Sequence, residues 1–384
     1  MNIVLLGASG SIGQQTLDII SKHNDRFNLV GFSIGKRINY IPDILSSFPS
    51  VKAICVQQYE DFLMLQKQYP QIAFYYGDDG LIDLIEHTDN DMVVNALVGF
   101  VGLVPSVKSL QNNKKLCLAN KESLVVGGEI INNLLKQGKG QLYPIDSEHV
   151  AISKCLTVDD ENVVKVIITA SGGSFRNLNR DQLKNVTKVD ALKHPTWSMG
   201  NKITIDSASM MNKCFEVIEA YYLFNIPYDK IDIILHDESY VHSMVLYENG
   251  LYRMDISKPD MRVPIEYALF EKQIDFTTYI SYNFKQAGPY HFHTFDMERY
   301  PLVKWAKEVI EREGNLGAIL NASNEEAVNA FLNDKISFLK IETIIEDAMN
   351  NVAYIKSPSL EELIATDKET RLYVKKLILK GANN

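Results

Sequence analysis

The chain opens on an apolar run, Ile3 to Leu6, that stops in a glycine loop and passes directly into helical spacing through Ile12, Leu17 and Ile20. The same alternation continues. A second strand is expected at "FNLVGFSIG", an apolar-periodic stretch from Ile38 to Phe48, a strand near "KAICV", a helix near "YEDFLMLQKQY", and strands at "DMVVNAL" and "KLCLAN". Strands alternating with helical segments predict a parallel sheet with helices on both faces, a Rossmann-like doubly wound α/β domain running to about residue 150.

The texture changes from Val163. Longer strand candidates follow, "VVKVIITA", "KIDIILH" and "SMVLYENGLYRMDI", the last with an Asn-Gly step that predicts a hairpin. This reads as an α+β domain over 151–270. Residues 271–297 lack a clear period and read as a linker, and 298–384 regain helical periodicity, broken at Gly314 and near Pro358, as a small C-terminal helical domain. A length of 384 residues fits two or three domains at about 150 residues each.

Composition narrows the partners. Lys and Arg number 39 against 48 Asp and Glu, a formal charge of −9, which argues against nucleic acid or an anionic membrane as a bulk electrostatic partner but leaves room for a local basic pocket. Cys55, Cys117, Cys155 and Cys214 show no CxxC spacing, which fits buried thiols in a reducing compartment. The opening "MNIVLLGASG" has no basic stretch followed by a long apolar one, and the apolar run near Met92 to Pro105 is interrupted by Asn95. A cytoplasmic location is the expectation.

Gly7, Gly10 and Gly13 lie between the first strand and the first helix, where backbone amides and a helix N-terminus can accept a pyrophosphate. The spacing is G-x-x-G-x-x-G, which a tight strand-to-helix turn would also produce. Its place in the first βα unit favours a nucleotide. The end of the second strand reads Gly35, Lys36, Arg37, two cations where an NAD-type site has a carboxylate, so NADPH is the expected cofactor.

Two further segments carry chemistry. In "YPIDSEHV", Asp146 and Glu148 stand two apart, which on a strand points both carboxylates to one side, a spacing suited to a hard divalent cation. A solvated edge has the same pattern. The segment "DSASMMNKCFEVIEAYYLF" offers Asp206 or Ser207 as a helix N-cap, an apolar stripe, and Asn212, Lys213 and Glu216 together on another face. That set suits a phosphorylated substrate beside a metal, or a plain solvent face. The loops "ASGGSFR", with Ser171, and "HPTWSMGNK", a glycine-flanked loop around Trp197 and Met199, are a candidate amide-rich cradle and lid.

Together these motifs, with "GASGSIG", "ALVGFVGLVP", "LANKESLV", "IDSEH", "TASGGSFR", "HPTWSMGNKITIDSASMMNK", "KPDMRVPI" and "NASNEEAVNAFL", resemble the 1-deoxy-D-xylulose 5-phosphate reductoisomerase family over nearly the whole chain. The resemblance implies an NADP-dependent oxidoreductase and isomerase of the non-mevalonate isoprenoid pathway. It would turn a phosphorylated ketose, 1-deoxy-D-xylulose 5-phosphate, into 2-C-methyl-D-erythritol 4-phosphate with Mg²⁺ or Mn²⁺, and act as a homodimer. It implies a pyrophosphate loop at Ser9, Gly10, Ser11 and Ile12, adenosine-phosphate contacts at Gly35, Lys36 and Arg37, and a lid contact at Gly200. Asn120 and Glu122 would lie on the nicotinamide side, with Lys121 beside the substrate. Asp146, Glu148 and Glu216 would be metal ligands, and the central domain would be the catalytic one. Ser147, Ser171, His194, Trp197, Ser207, Asn212 and Lys213 would bind substrate and its phosphate. Departures are small: Ser9 for the family's usual Thr, Arg37 for Asn and Ser174 for Pro.

Two rival readings remain open at this point. A semialdehyde dehydrogenase would need a reactive thiolate, and Cys155 and Cys214 sit in apolar helical contexts. A non-catalytic NADP(H) sensor would leave the acidic residues without a task. His291 and His293 lack a third zinc ligand and read as a linker strand.

Overall fold

The computed structural model describes residues 1–156, 162–197, 199–273, 279 and 288–381. These fall into two compact units, neither continuous in sequence. The first comprises Met1–Ser123, Ile130–Asp146 and Asp260–Tyr279, and the second Leu124–Glu129, Ser147–Pro259 and Ile280–Asn384. Residues 260–273 and 279, which the sequence places in the central domain and the linker, thus belong with the N-terminal unit, while 274–278 and 280–287 of the segment read as a linker lie outside the described residues. Their helix Arg262–Leu269 packs on the helix Ser11–Lys22, and Ile265, Ala268 and Leu269 join that unit's buried core.

In the first unit seven strands form one parallel sheet: β1 (Asn2–Leu6), β2 (Asn28–Ile34), β3 (Ala53–Val56), β4 (Ala73–Tyr76), β5 (Met92–Asn95), β6 (Lys115–Leu118) and β7 (Gln141–Pro144). Their spatial order is β4-β3-β2-β1-β5-β6-β7, so the chain winds outward one way from β1 and then the other way from β5. The central strands β1, β2 and β5 are buried along nearly their whole length, as strands of a parallel sheet covered on both faces are, and Ile3, Leu5, Leu6, Leu29 and Phe32 are fully buried. Each such side chain contributes roughly 1.5–3 kcal/mol through burial. The reversal beside β1 makes the loops after β1 and β5 diverge, which is where open α/β sheets bind ligands.

The second unit holds a mixed sheet of β8 (Val163–Ala170), β9 (Ile231–His236), β10 (Val241–Tyr247), β11 (Tyr252–Ile256) and β12 (Phe292–Thr294), in the order β11-β10-β8-β9-β12. The expected hairpin is present: β10 and β11 pair antiparallel around Gly250, whose φ of 81° needs a residue without a Cβ. β12 lies inside the segment read as a linker and pairs antiparallel with β9. The helix Ser147–Cys155 packs on β10 and β11. The C-terminal helices Lys304–Arg312, Leu316–Leu332, Lys340–Asn351 and Leu360–Gly381 follow, the first two separated at Gly314, φ 71°. Gly317 lets the second of them approach residues 124–129, since a Cβ there would stand 1.8 Å from the Val125 carbonyl oxygen.

Candidate functional site

In the first unit the glycine loop leaves β1 and enters the helix Ser11–Lys22, whose N-cap Gly10 makes no side-chain cap hydrogen bond. Its first-turn amides therefore meet neither a capping side chain nor an acidic residue. Gly7 has φ 88°, and a Cβ on it would come within 2.7 Å of the Ala96 carbonyl oxygen; a Cβ on Gly13 would meet the Gly7 carbonyl oxygen at 2.3 Å. The loop is thus drawn tight by glycine at two places, at the switch point between β1 and β5. Such a cradle fits a dinucleotide pyrophosphate. Ser9 is buried, while Ser11 is exposed and Ile12 half-buried. Gly35, Lys36 and Arg37 follow β2 as an exposed basic turn, with the Arg37 guanidinium over the Tyr40 ring.

Asn120 and Lys121 lie between β6 and the helix Glu122–Lys136, which Glu122 opens. The Asn120 amide donates to the carbonyl oxygens of Leu97 and Gly99 at 3.0 and 2.9 Å and to Glu122 at 3.1 Å, while its oxygen accepts the Ser123 N–H. That side chain is committed to the loop after β5, and Gly102 makes room for it. The Lys121 ammonium meets the Asp146 carboxylate at 2.5 Å, with side chains only 10% and 9% exposed.

Asp146 and Glu148 do not share a strand. β7 ends at Pro144, Asp146 follows it, and Glu148 sits in the first turn of the helix Ser147–Cys155. A two-residue spacing across a strand-to-helix junction imitates strand alternation. The second expected local geometry also differs: Asp206 and Ser207 are not an N-cap but lie inside the helix Asn201–Ser209, and Met210, with φ 61°, joins it to the helix Met211–Phe224.

The grouping expected on that second helix holds, with Lys213 and Glu216 buried and Asn212 partly so. Lys213 donates to Glu148 at 3.0 Å, to the Thr169 carbonyl oxygen at 2.6 Å and to Glu216, while Asn212 also donates to Glu216. Lys213 and Glu216 are 4% and 1% exposed, which excludes a solvent face. Glu148 and Glu216 bring a carboxylate oxygen each within 4.8 Å of one another. Burial pulls the Lys213 ammonium down, but the carboxylates of Glu148 and Glu216 outweigh it and hold the ammonium above its ordinary value. Two hard oxygen donors countered by one cation are chemically suited to a divalent ion.

The third group is a hub on His194. Its Nε2 lies 3.1 Å from both Ser171 Oγ and Ser207 Oγ, and its Nδ1 accepts the backbone N–H groups of Thr196 and Trp197 at 3.3 and 3.0 Å. An atom that accepts two N–H bonds carries no proton, so the proton is on Nε2 and donates to the serine oxygens. Burial, with Arg176 nearby, pushes the imidazole down to about 4, so it is neutral at pH 7. Ser171 Oγ also accepts the Gly173 N–H at 3.2 Å, and Gly173, φ 67°, would place a Cβ 2.5 Å from the Ser207 carbonyl oxygen. The two loops and the helix Asn201–Ser209 are thereby in direct contact. Ser174 donates to the Ala191 carbonyl oxygen at 2.6 Å, which gives the hydroxyl that replaces proline a partner. Trp197 is half-buried, its ring edge-on to His242 at 6.3 Å, and Gly200 is the exposed N-cap of the helix Asn201–Ser209. Ser147 Oγ donates to Glu148 at 2.7 Å.

Some residues of this constellation were not singled out from the sequence. His149 donates from Nε2 to the Glu216 carbonyl oxygen at 2.9 Å and faces the Glu219 carboxylate at 3.4 Å, both side chains being buried. The signals were there: His149 closes the "IDSEH" motif, and Glu219 stands one helical turn beyond Glu216. All four cysteines are free and buried, and burial pushes the Cys214 thiol up, away from the exposed thiolate a semialdehyde dehydrogenase would need. His291 and His293 are engaged by Glu238 and Asp237 at 2.6 and 3.1 Å on the strand β12 and its approach.

Comparison with known proteins identifies the family. Family models described as 1-deoxy-D-xylulose 5-phosphate reductoisomerase, that enzyme's C-terminal domain, and DXP reductoisomerase C-terminal domain match residues 3–128, 142–224 and 256–373 respectively. The chain is 46% identical to 1-deoxy-D-xylulose 5-phosphate reductoisomerase 2 of Bacillus thuringiensis subsp. konkukian, over 97% of this chain and 98% of that one. It is 44% identical to the reductoisomerase of Geobacillus sp. (strain WCH70), over 98% and 99%. Among solved structures, the Zymomonas mobilis reductoisomerase in complex with NADPH matches with a TM-score of 0.90 at 35% identity, covering 98% of both chains. A DOX-P reductoisomerase in complex with NADPH, fosmidomycin and magnesium matches with a TM-score of 0.92 at 31% identity, again over 98% of both. With nearly half its residues identical across almost its full length, the chain belongs to the 1-deoxy-D-xylulose 5-phosphate reductoisomerase family.

Proposed function

We propose the following division of labour for a reaction that the family membership establishes: the NADPH- and divalent-metal-dependent rearrangement and reduction of 1-deoxy-D-xylulose 5-phosphate to 2-C-methyl-D-erythritol 4-phosphate. Asp146, Glu148 and Glu216 hold the cation. The glycine loop from Gly7 through Ser9, Gly10, Ser11 and Ile12 takes the pyrophosphate, Lys36 and Arg37 beside Gly35 take the 2′-phosphate, and Asn120 and Glu122 border the nicotinamide. What carries the reading is the cluster of Glu148, Glu216 and Lys213: Glu216 and Lys213 are buried and Glu148, 19% exposed, reaches them from the edge, an arrangement of two acids and a base that a solvated surface would not need.

When bound, the cation supplies Lewis acidity and NADPH the hydride. The protein's residues orient and enclose. Lys121, paired with Asp146, keeps a fixed positive charge beside the substrate oxygen on which negative charge grows. The neutral His194 donates from Nε2 to the serine oxygens, so the hydroxyl protons of Ser171 and Ser207 are free to point at a phosphate, joined by Asn212 and Lys213. Ser147 and Glu148 hold the substrate next to the cation. Phosphate binding remote from the reacting carbons supplies interaction energy for closing the loop around Trp197 and Gly200, which excludes water. We further propose that manganese serves as well as magnesium, and that the protein works as a homodimer in the cytoplasm. No helix among the described residues is long and apolar enough to cross a membrane.

The test follows NADPH absorbance with 1-deoxy-D-xylulose 5-phosphate and Mg²⁺ or Mn²⁺, with and without a chelator. Oxidation should require both substrate and metal, and Glu216→Gln should lose it together with metal affinity. Wild-type turnover and metal affinity in Glu216→Gln would remove the three-carboxylate site.

A further inference from the structure

The C-terminal motif "NASNEEAVNAFL" takes no part in the chemistry assigned above, yet one of its residues reaches toward it. Asn324, on the helix Leu316–Leu332, donates from Nδ2 to Asp206 Oδ1 at 2.8 Å, and both side chains are buried, at 0% and 2% exposure. A carboxylate only accepts, so the amide must present its NH₂ group there. The second oxygen of Asp206 accepts from Lys202 at 3.0 Å, and the Lys202 ammonium lies over the Phe215 ring on the following helix. Asp206 thus ties the helix Asn201–Ser209 to the helix Leu316–Leu332, and Lys202 ties it to the helix Met211–Phe224.

The place of this tie is informative. Ser207 follows Asp206 directly, and three residues later the chain turns through Met210, at φ 61° and ψ 14°. A side-chain-bearing residue enters that left-handed region only when its surroundings hold it there. Met210 is 2% exposed and packs with Ala170, Tyr300 and Val303, and its carbonyl oxygen accepts the Cys214 N–H at 3.0 Å. Ser207 stands on one side of the turn, Asn212 and Lys213 on the other. The angle between the two helices therefore sets the separation of the groups assigned to the phosphate.

We propose that Asn324 and Asp206 form a positioning strut that holds the left-handed turn at Met210, and with it the spacing of Ser207 from Asn212 and Lys213, so that the helix Leu316–Leu332 governs phosphate affinity without touching substrate. The proposal rests on the phosphate assignment made under the proposed function. A well-placed group displaced by an ångström or so loses much of its effect, which sets the expected change at about ten-fold or more.

The experiment uses the full chain and two readouts. Calorimetric titration with inorganic phosphate reads the pocket without turnover, and steady-state kinetics separates KM for 1-deoxy-D-xylulose 5-phosphate from kcat. Asn324→Ala should weaken phosphate binding and raise KM, each about ten-fold, with kcat within about two-fold of wild type. Exchanging donor and acceptor, Asp206→Asn with Asn324→Asp, should recover most of the loss, because the hydrogen bond is re-made in reverse. If Asn324→Ala does not fold, Asn324→Ser, which keeps a short donor, takes its place with the same expectation. A lowered melting temperature with unchanged phosphate affinity and KM would make the contact merely structural and overturn the strut. Phosphate that binds the wild type but loses nothing in either variant would do the same. An active wild type that binds no inorganic phosphate would overturn the strut while leaving the reaction standing, whereas an inactive wild type that binds phosphate with the expected variant response would keep the strut and sink the reaction.

Discussion

Replacing Lys213 with methionine tests the electrostatic logic of the site most directly, because an unbranched side chain of similar bulk remains while the charge and its three N–H donors are lost. In the structure the ammonium lies against both Glu148 and Glu216 and donates to the Thr169 carbonyl oxygen. Without it, two carboxylate oxygens within 4.8 Å of each other face one another, that of Glu216 buried and that of Glu148 only 19% exposed. Coulomb's law at an effective dielectric constant near 20 puts that repulsion at about 3.5 kcal/mol. This agrees with the roughly 3–5 kcal/mol lost when one partner of a buried ion pair is removed. Lys213→Met in chelator should therefore unfold in urea with a free energy about 3–4 kcal/mol below wild type. A divalent cation does the ammonium's neutralising work, so Mn²⁺ should return most of that loss in the variant and stabilise the wild type far less. Turnover should stay low even with metal, since a phosphate ligand is gone. Equal stability of variant and wild type in chelator, or an equal response to Mn²⁺, would refute the argument that Glu148 and Glu216 are held together by charge.

Two further outcomes follow from the other halves of the site. Arg37→Ala should lower the ratio of NADPH to NADH efficiency about ten-fold or more, as expected for losing a charge-assisted hydrogen bond, and an unchanged ratio from paired kinetics would leave the basic turn without a role. His194, held at about 4 by burial, stays neutral in the folded protein while the unfolded chain takes up a proton below about pH 6.5. Its contribution to stability is thus whole above that pH and is lost as the pH falls toward 4. Urea midpoints should accordingly drop faster between pH 7 and 5 for wild type than for His194→Gln, and parallel slopes would mean that the ring is not kept neutral.

The order of elements in the N-terminal unit was legible because it rests on local patterns. Strands buried on both faces read as apolar runs, and β1, β2, β3, β5 and β6 were found that way. β4 and β7 were not, for "AFYY" and "QLYP" are four residues long and half-exposed, too short for a period to declare itself. The helix Glu122–Lys136 was hidden by Gly127 and Gly128. Gly127 departs from helical geometry, and Gly128 carries no side chain because Tyr222 occupies the space a Cβ would need. The helix Asn201–Ser209 has the composition "NKITIDSAS", with two isoleucines, a threonine, two serines and an aspartate, which disfavours helix locally. Burial of Thr204, Ile205, Asp206, Ser207, Ala208 and Ser209 overrides that preference.

The chemistry of the site was legible in kind and hidden in arrangement, and the reason is separation along the chain. Asn212, Lys213 and Glu216 could be placed together because three- and four-residue spacings on one helix fix their neighbours. Nothing local says that Glu148 meets Lys213 across 65 residues, that His194 collects Ser171 and Ser207, or that Asn324 reaches Asp206 across 118. Each of these contacts joins polar groups that are buried or nearly so, and a polar group leaves water at little cost only when its partner is already in place. The fold alone brings the members together, and it does so here through short rigid pieces: a tight glycine at 173, a left-handed residue at 210 and a helix that begins one residue before Glu148.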